Sequence, residues 1–342
     1  MKSAKLAFVA FTVTLLGSAW LLRAQSPAVQ IHAGYFPNIT HSQALVGKAT
    51  GKFDAALAPN ATVDWKQFNA GPSVIEALFA GALDVAYVGP NPAISGYIRS
   101  KGAALRVIAG ATSGGAALVV RPAAGIQSAK DFHGKRIATP QLGNTQDVAL
   151  RAWLLANNLQ VREKGGDVQV IPIANPDQLT LFLKGEIDAA WAPEPWASRL
   201  VHDAGGKIFL DERDLWPNRQ FATALLIVRT EFLQQHPDLV KTWVRTHVEL
   251  TDWINKNPVE AKRLINEEIR KETSKALPPE VLDDAYSHLE VTYDPLREPL
   301  LRSAQQAFQL GFLGKDSPDL SGLYELSVLN EILKEKKAGP NK

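Results

Sequence analysis

Short apolar segments alternate with amphipathic helical patterns through the first two thirds of the chain. The pattern predicts strands at 29–36, 62–69, 83–89, 105–111 and 116–122, then at 135–140, 167–173, 187–193, 207–212 and 221–230. Most of these segments are separated by helical patterns such as PSVIEALFAGA and QDVALRAWLLANN. Strands that alternate with helices are typical of parallel α/β sheets. From Glu231 onward the pattern is helical throughout, and residues 336–342 are expected to fray.

A repeat connects the two halves of this series. IEALFAGALDVAYVGPNPA (75–93) resembles LTLFLKGEIDAAWAPEPWA (179–197) at a constant offset of 104 residues (185 − 81 = 104). In each copy a helix ends at a glycine, and an aspartate then precedes a short strand. The repeat predicts two similar lobes whose turns face each other across a cleft. Asp84 and Asp188 are expected to bind neighbouring backbone amides.

The first 24 residues carry a targeting pattern. Lys2 and Lys5 precede an apolar run from Leu6 to Leu22, and small residues follow near Ala24. This pattern predicts a signal peptide over residues 1–24, with an uncleaved anchor as the alternative. Cleavage would remove three basic residues and take the formal charge from +2 to −1 (2 − 3 = −1). A nearly neutral secreted chain is expected in the periplasm and is unsuited to nucleic acid.

Enzyme motifs are weak in this sequence. The absence of cysteine excludes a thiol nucleophile, a cysteine metal site and a lipid on an N-terminal cysteine. The seven histidines form no HExxH pair, GKATGKF departs from the phosphate loop, and no GxSxG or GxGxxG is present. A carboxylate pair for glycoside chemistry stays open, although no pair stands out. We therefore predict a binding protein without cofactor or metal.

Four segments together resemble a known family. They are GYFPNITHSQALVGKATGKF, FNAGPSVIEALFAGALDVAYVGPNPA, DFHGKRIATPQLGNTQDVALRAWL and GEIDAAWAPEPWASRL. The sequence is similar to type II periplasmic solute-binding proteins of ABC importers for nitrate, sulfonates and taurine, and most similar to the aliphatic-sulfonate binders. The resemblance implies two α/β lobes joined by two hinge strands, with the ligand in the cleft. It also implies a monomer that delivers its ligand to an ABC permease driven by an ATPase.

The resemblance also sets the expected boundaries. Lobe one is expected to comprise residues 28–118 and 222–335, including the C-terminal helices, and lobe two residues 119–221. The two hinge crossings are expected near Ala117–Arg121 and Arg219–Thr223.

Small polar residues follow four of the predicted strands and precede helices. Free amides at helix N-termini favour anions, so these loops are candidates for a small oxyanion. The candidate residues are Asn38, Thr40 and His41 in PNITHS, Asn91 in GPNP, Ser113 and Gly114 in TSGG, and Asn144, Thr145 and Gln146 in GNTQD. The alternative for each residue is an ordinary helix cap. The resemblance implies ligand contacts in the same loops.

Three residues of the second repeat copy complete the candidate site. We expect Trp191 to contact the ligand tail and Trp196 to pack in the core of lobe two. Glu194 is expected at the cleft edge, either in a closing contact with lobe one or as acceptor for a ligand ammonium.

The ligand is expected to be an alkanesulfonate or a related oxyanion. The alternatives are nitrate, taurine, a phosphonate or a pyrimidine, or an enzyme on the same fold. A two-lobed sensor domain of a transcription regulator is disfavoured because a signal peptide stands where its DNA-binding helices would be.

Overall fold

The computed structural model describes residues 28–338 of the chain. The signal peptide predicted over residues 1–24 and the final residues 339–342 lie outside that range. Within 28–338 no helix has both the length and the apolar character needed to cross a membrane. Residues 336–338, predicted to fray, are the end of the last helix, and Lys336 forms an ion pair with Asp252.

The first part of the chain supplies four strands and four helices. They are β1 (Val29–Tyr35), α1 (Ser42–Thr50), α2 (Lys52–Leu57), β2 (Ala61–Gln67), α3 (Gly71–Phe79), β3 (Val85–Val88), α4 (Pro90–Arg99) and β4 (Leu105–Gly114). The middle part supplies β5 (Ala116–Val120), β6 (Arg136–Thr139), α5 (Thr145–Ala156), β7 (Gln169–Pro172), α6 (Asn175–Lys184), β8 (Ala189–Pro193), α7 (Trp196–His202) and β9 (Lys207–Asp211).

The last part of the chain is mainly helical. It comprises β10 (Ala222–Arg229), α8 (Thr230–Gln235), α9 (Pro237–Lys256), α10 (Pro258–Thr273), α11 (Pro279–Ser287), β11 (Leu289–Val291), α12 (Arg297–Gln309) and α13 (Ser327–Ala338). The prediction of helix throughout from Glu231 is therefore wrong at β11, which pairs with the edge of β4. A strand of three residues, with Glu290 exposed between two buried residues, is too short to interrupt a helical pattern visibly.

The strands form two sheets with the same core topology. The first sheet has the order β11-β4-β10-β3-β1-β2 and the second the order β7-β6-β8-β5-β9. In each sheet three strands run parallel, and the strand that returns from the other sheet (β10 or β5) lies antiparallel beside them. The two predicted lobes thus correspond to two mixed sheets, each with its three parallel strands at one end.

The 104-residue repeat occupies equivalent positions in the two sheets. β3 and β8 follow helices that end at Gly81 and Gly185, whose positive φ angles of 71° and 73° suit glycine. Both strands are buried along their whole length, which explains their continuous apolar sequences.

The two repeated aspartates hold each sheet together in the same way. Asp84 accepts hydrogen bonds from the backbone N–H of His32 at 2.9 Å and from Arg229 at 2.8 Å. Asp188 accepts from the backbone N–H of Arg136 and from the Arg121 guanidinium, both at 3.0 Å. The predicted binding of backbone amides is confirmed. Each aspartate also ties a parallel strand to the arginine that ends the antiparallel strand beside it.

The chain passes between the sheets earlier than predicted. β4 ends at Gly114, and β5 pairs with β8 and β9 of the second sheet along its whole length. The crossing therefore lies at Gly114–Gly115, both with positive φ, rather than at Ala117–Arg121, and the predicted boundary at residue 118 falls inside β5. The return crossing lies between Asp211 and Ala222, a range that contains the start of the predicted Arg219–Thr223.

Substitution of the repeated aspartates tests their structural role. Asp84→Ala or Asp188→Ala leaves an arginine and a backbone N–H without their acceptor, so we expect a loss of about 2–4 kcal/mol in the free energy of unfolding. Urea denaturation measures this loss. Glu76→Ala, which breaks the exposed Arg99–Glu76 pair, is the control and should cost less than about 1 kcal/mol. Equal losses in the three variants would contradict the assigned role.

Candidate functional site

A small polar cavity, here called the inner chamber, lies between the two lobes. Its volume is about 20 Å³, which admits roughly one water-sized group. It is lined by Phe36, Asn38, Thr40, His41, Asn69, Gly89, Asn144, Thr145, Gln146, Asn175, Pro193 and Thr223. Six of the eleven predicted site residues are among them, and they come from both lobes.

Four helices of nine or more residues begin at the inner chamber. His41 and Gly89 are the N-caps of α1 and α4 in the first lobe. Asn144 is the N-cap of α5, and Asn175 is the first residue of α6, in the second lobe. These four helices direct the positive ends of their dipoles toward one space. Free N–H donors are fewer than four helix starts would suggest, because Pro90, Pro92 and Pro176 carry no N–H and the N–H groups of Asp147 and Asp177 bond to the carbonyls of Asn144 and Ala174.

The polar side chains at these helix starts do not cap their own helices. No side-chain capping hydrogen bond is formed at the N-caps of α1, α4, α5 or α6. The Asn144 side-chain amide instead donates to Gln146 at 3.0 Å. The alternative of ordinary helix caps therefore does not describe these positions.

His41 is a neutral hydrogen-bond donor in the wall of the chamber. Its ring is buried and stacked on Phe36 at 4.4 Å between centroids, and its Nδ1 accepts the Phe36 backbone N–H at 3.1 Å. Burial lowers the pKa of His41 to about 3. The ring is therefore uncharged at neutral pH, with its proton on Nε2.

Two buried oxygen atoms of the chamber residues have no hydrogen-bond partner within residues 28–338. They are Thr145 Oγ1 and Asn175 Oδ1, and both residues are more than nine-tenths buried. A buried polar atom without a partner costs about 1–3 kcal/mol, so such atoms are few in folded proteins. Their position on the chamber makes them candidates for ligand contact.

Gly89 allows the two lobes to approach at the chamber. A Cβ atom added at Gly89 would overlap Thr145 Oγ1 of the opposite lobe. The backbone of Gly89 has an ordinary φ of −68°, so a side chain here would be excluded by contact and not by strain.

Trp191 does not lie where a ligand tail could contact it, whereas Trp196 packs in the core of the second lobe as expected and also reaches the cleft. Trp191 is fully buried (0% exposed) in the core of the second lobe, and its Nε1–H donates to Glu212 at 2.8 Å. Trp196 is 9% exposed, and its Nε1–H donates across the lobes to Asn38 Oδ1 at 3.0 Å. The reason is that Trp191 lies on β8 between two neighbouring strands, whereas Trp196 begins α7 at the cleft.

Three predicted loop residues lie outside the inner chamber. Asn91 is buried against α12 and its Oδ1 accepts from the Ser303 hydroxyl at 2.9 Å. Ser113 and Gly114 end β4 at the crossing between the sheets, and the Gly114 carbonyl accepts from the Thr223 hydroxyl. The sequence TSGG therefore forms the crossing, and its two glycines adopt the positive φ angles that the crossing requires.

Glu194 is buried beneath α7 rather than at the cleft edge. Its two carboxyl oxygens accept from the Ser198 backbone N–H and hydroxyl, both at 3.0 Å. Burial raises the pKa of Glu194 to about 7, an effect opposed by Ser198 and His288. The Glu194 backbone N–H donates to the Gly115 carbonyl at 2.9 Å, and this bond links the turn after β8 to the crossing between the sheets. Contact with a ligand ammonium does not fit this position.

Six chamber residues were not predicted: Phe36, Asn69, Gly89, Asn175, Pro193 and Thr223. Asn69 and Asn175 follow predicted strands and precede helices, so the reasoning applied to the other loops would have included them. Gly89 and Pro193 carry no polar side chain, and Thr223 reaches the site through the return of the chain from the second lobe. Residues 28–338 contain no cluster of three potential metal ligands.

Comparison with known proteins assigns the chain to a family. A sequence profile of the NMT1-like family matches residues 24–267, more than half of the chain. The chain belongs to this family. It is 26% identical over 248 residues to the taurine-binding periplasmic protein of Escherichia coli strain K12, with 72% of each chain covered. This NMT1-like protein thus has a relative that is named as a binding protein and not as an enzyme.

Solved structures confirm the fold. The alkanesulfonate-binding protein of Xanthomonas axonopodis pv. citri bound to MOPS superposes with a TM-score of 0.72 at 18% identity, covering 87% of this chain and 99% of that one. The periplasmic nitrate-binding protein of Synechocystis PCC 6803 gives 0.75 at 13% identity, covering 90% and 89%. The predicted two-lobed periplasmic binding protein fold is therefore correct.

The contact between Gly89 and Thr145 can be tested by substitution. Gly89→Ala should hold the lobes apart, because its Cβ overlaps Thr145 Oγ1 in the closed form. We expect a larger radius of gyration by small-angle X-ray scattering, with an unchanged circular dichroism spectrum. The double variant Gly89→Ala/Thr145→Ala removes the overlapping oxygen and should regain the smaller radius. An unchanged radius in Gly89→Ala would show that the contact does not limit closure.

The buried Glu212 should leave a signature in the pH dependence of stability. Burial raises the pKa of Glu212 to about 7 from an unfolded value near 4.5, with the Trp191 bond opposing the shift. Its contribution to stability is therefore greatest below pH 4.5 and declines as the pH rises to about 7. Glu212→Gln keeps an acceptor for Trp191 and removes this decline. The difference in melting temperature between the variant and the wild type should increase in favour of the variant across that window, and a difference that does not change with pH would contradict the assignment.

Proposed function

We propose that this protein is the substrate-binding component of an ABC importer and captures a small organic sulfonate between its lobes. The observation that carries the proposal is the convergence of four helix N-termini on the inner chamber. Amides and dipoles at helix N-termini bind oxyanions without a formal positive charge. The names of the taurine-binding and alkanesulfonate-binding proteins support the same ligand class.

The donors of the chamber match a sulfonate head group. A sulfonate has three acceptor oxygens, and the chamber offers the first amides of the helices, the Nε2–H of neutral His41 and the hydroxyl of Thr145. Asp147, the acidic residue in the first turn of α5, is engaged by Arg151, Gly143 and Thr139. None of the residues that line the chamber is acidic. This arrangement favours an anionic head over a cationic one.

Capture is proposed to occur by hinge closure about the two crossings. The hydrogen bond from Trp196 to Asn38 joins the lobes directly beside the chamber. A ligand that bonds to both lobes would stabilise the same closed form. The equilibrium between the open and closed forms then shifts by as much as the ligand binds the closed form more tightly than the open one.

The partners follow from this role. We propose that the closed form docks on an ABC permease driven by an ATPase and that the protein acts as a monomer in the periplasm. The periplasmic naming of the relative supports the location.

The ligand and the closing bond can be tested together by isothermal titration calorimetry. We expect binding of ethanesulfonate and weaker binding of nitrate and sulfate. Trp196→Phe removes the N–H and keeps the ring, so every ligand should bind about tenfold more weakly, because a buried hydrogen bond of the closed form is lost. Trp153→Phe, an equally buried tryptophan in the core of the second lobe, should leave the affinities unchanged. Absence of binding by any sulfonate would contradict the ligand assignment.

A further inference from the structure

A second and larger cavity, here called the outer groove, opens from the inner chamber toward solvent. Its volume is about 340 Å³, and it shares Asn38, Asn69 and Asn175 with the chamber. Its remaining lining residues are Pro37, Gln67, Phe68, Pro176, Trp196, Arg199, Thr273 and Lys275. The three shared asparagines line both spaces, which therefore lie next to each other, and a ligand that extends past these asparagines would occupy both.

The outer groove is the charged part of the cleft. Arg199 and Lys275 line it, and none of its lining residues is a carboxylate. Lys275 is exposed and forms no ion pair among the residues that the structure describes. The chamber, by contrast, is lined only by neutral side chains, because its histidine is uncharged. The cleft thus has a neutral interior and a positive entrance.

Arg199 is held in a defined orientation at the entrance. Its guanidinium lies over the Trp196 ring at 4.8 Å, and its Nε–H donates to Asp203 at 2.9 Å. These contacts leave both terminal amino groups without a hydrogen-bond partner within residues 28–338. A guanidinium fixed in this way presents its remaining donors as a fork that suits a carboxylate or a second sulfonate.

Apolar surfaces lie between the two polar regions. The rings of Phe68 and Trp196 and the prolines Pro37 and Pro176 line the groove beside the shared asparagines. Such a wall accommodates a short carbon chain, which neither the polar chamber nor the cations would favour.

We propose that the outer groove binds the far end of the ligand and that this end is anionic. The ligand class is therefore a dianion with a sulfonate head, a short carbon linker and a carboxylate or second sulfonate. This inference rests on the proposed function, because it takes the head group in the inner chamber as given. An ammonium at the same end, as in taurine, would meet two cations and no carboxylate among the lining residues, since Asp203 is bonded to Arg199 and does not line the groove.

Three ligands of similar length separate these possibilities by calorimetry at low ionic strength. 3-Sulfopropanoate carries the second anion, propanesulfonate has a neutral end and taurine has a cationic end. We expect 3-sulfopropanoate to bind about three- to tenfold more tightly than propanesulfonate, and taurine to bind most weakly. The preference should diminish as salt is added, because the entrance charges are exposed.

Lys275→Glu is the variant that isolates the groove. It should weaken 3-sulfopropanoate by about tenfold or more and propanesulfonate much less, and it should improve taurine. Lys184→Glu is the matched control: it makes the same charge change at the far end of α6, about 14 Å along the helix from Asn175, and should preserve the order of the ligands.

The outcomes distinguish the two proposals. Equal affinities for 3-sulfopropanoate and propanesulfonate, or an equal effect of Lys275→Glu on all three ligands, would overturn the dianion inference and leave sulfonate capture intact. Failure of every sulfonate to bind would overturn the proposed function and the inference with it. Tightest binding of taurine would support sulfonate capture and contradict the anionic far end.

Discussion

Backbone amides at helix starts are the constraint on which the rest of this structure depends. Parallel strands end at one edge of a sheet, so the helices that follow them begin at that edge, and two such edges face each other across the cleft. The first N–H groups of these helices, which are fewer in α4 and α6 because prolines occupy their first turns, need partners that their own helices do not provide. The side chains that commonly supply those partners bond elsewhere here, as the Asn144–Gln146 pair illustrates. A space rich in donors is the consequence.

The same polar arrangement holds the strands of each lobe together. Asp84 and Asp188 each bind a backbone N–H of the central parallel strand and an arginine that ends the antiparallel neighbour. Burial by itself would raise the pKa of Asp188, but its bonds to Arg136 and Arg121 lower the pKa below the ordinary value, so the carboxylate stays charged at neutral pH. Beside the crossing at Gly114–Gly115, His288 next to β11 of the first sheet has its Nδ1 3.3 Å from Asp211 Oδ2 at the end of β9 of the second sheet, and it also contacts Arg213.

The sequence was most informative where local pattern and topology coincide. The strand–loop–helix pattern identified Asn38, Thr40, His41, Asn144, Thr145 and Gln146, because the end of a parallel strand determines where the next loop lies. The pattern failed for Trp191, and for Trp196 it indicated the core packing but not the bond to Asn38, because tertiary structure determines which neighbours cover each ring. The pattern also failed for Glu194. Its partner Ser198 lies one helical turn away, and the pattern does not show that the two side chains bond to each other. Tertiary contacts such as Ser303 with Asn91 have no signal in one sequence.

The distribution of charge in the cleft follows from the cost of desolvation. An arginine or lysine in a closed chamber of this size would lose its hydration and, without a ligand, would have no compensating charge. Neutral donors avoid that cost, and the low pKa of His41 keeps even the one titratable side chain of the chamber uncharged. Charged side chains lie at the entrance instead, where water still solvates Lys275 and where Trp196 and Asp203 contact Arg199. Depth in the cleft thus separates two tasks, because the interior selects a head group by hydrogen bonds and the entrance selects its other end by charge.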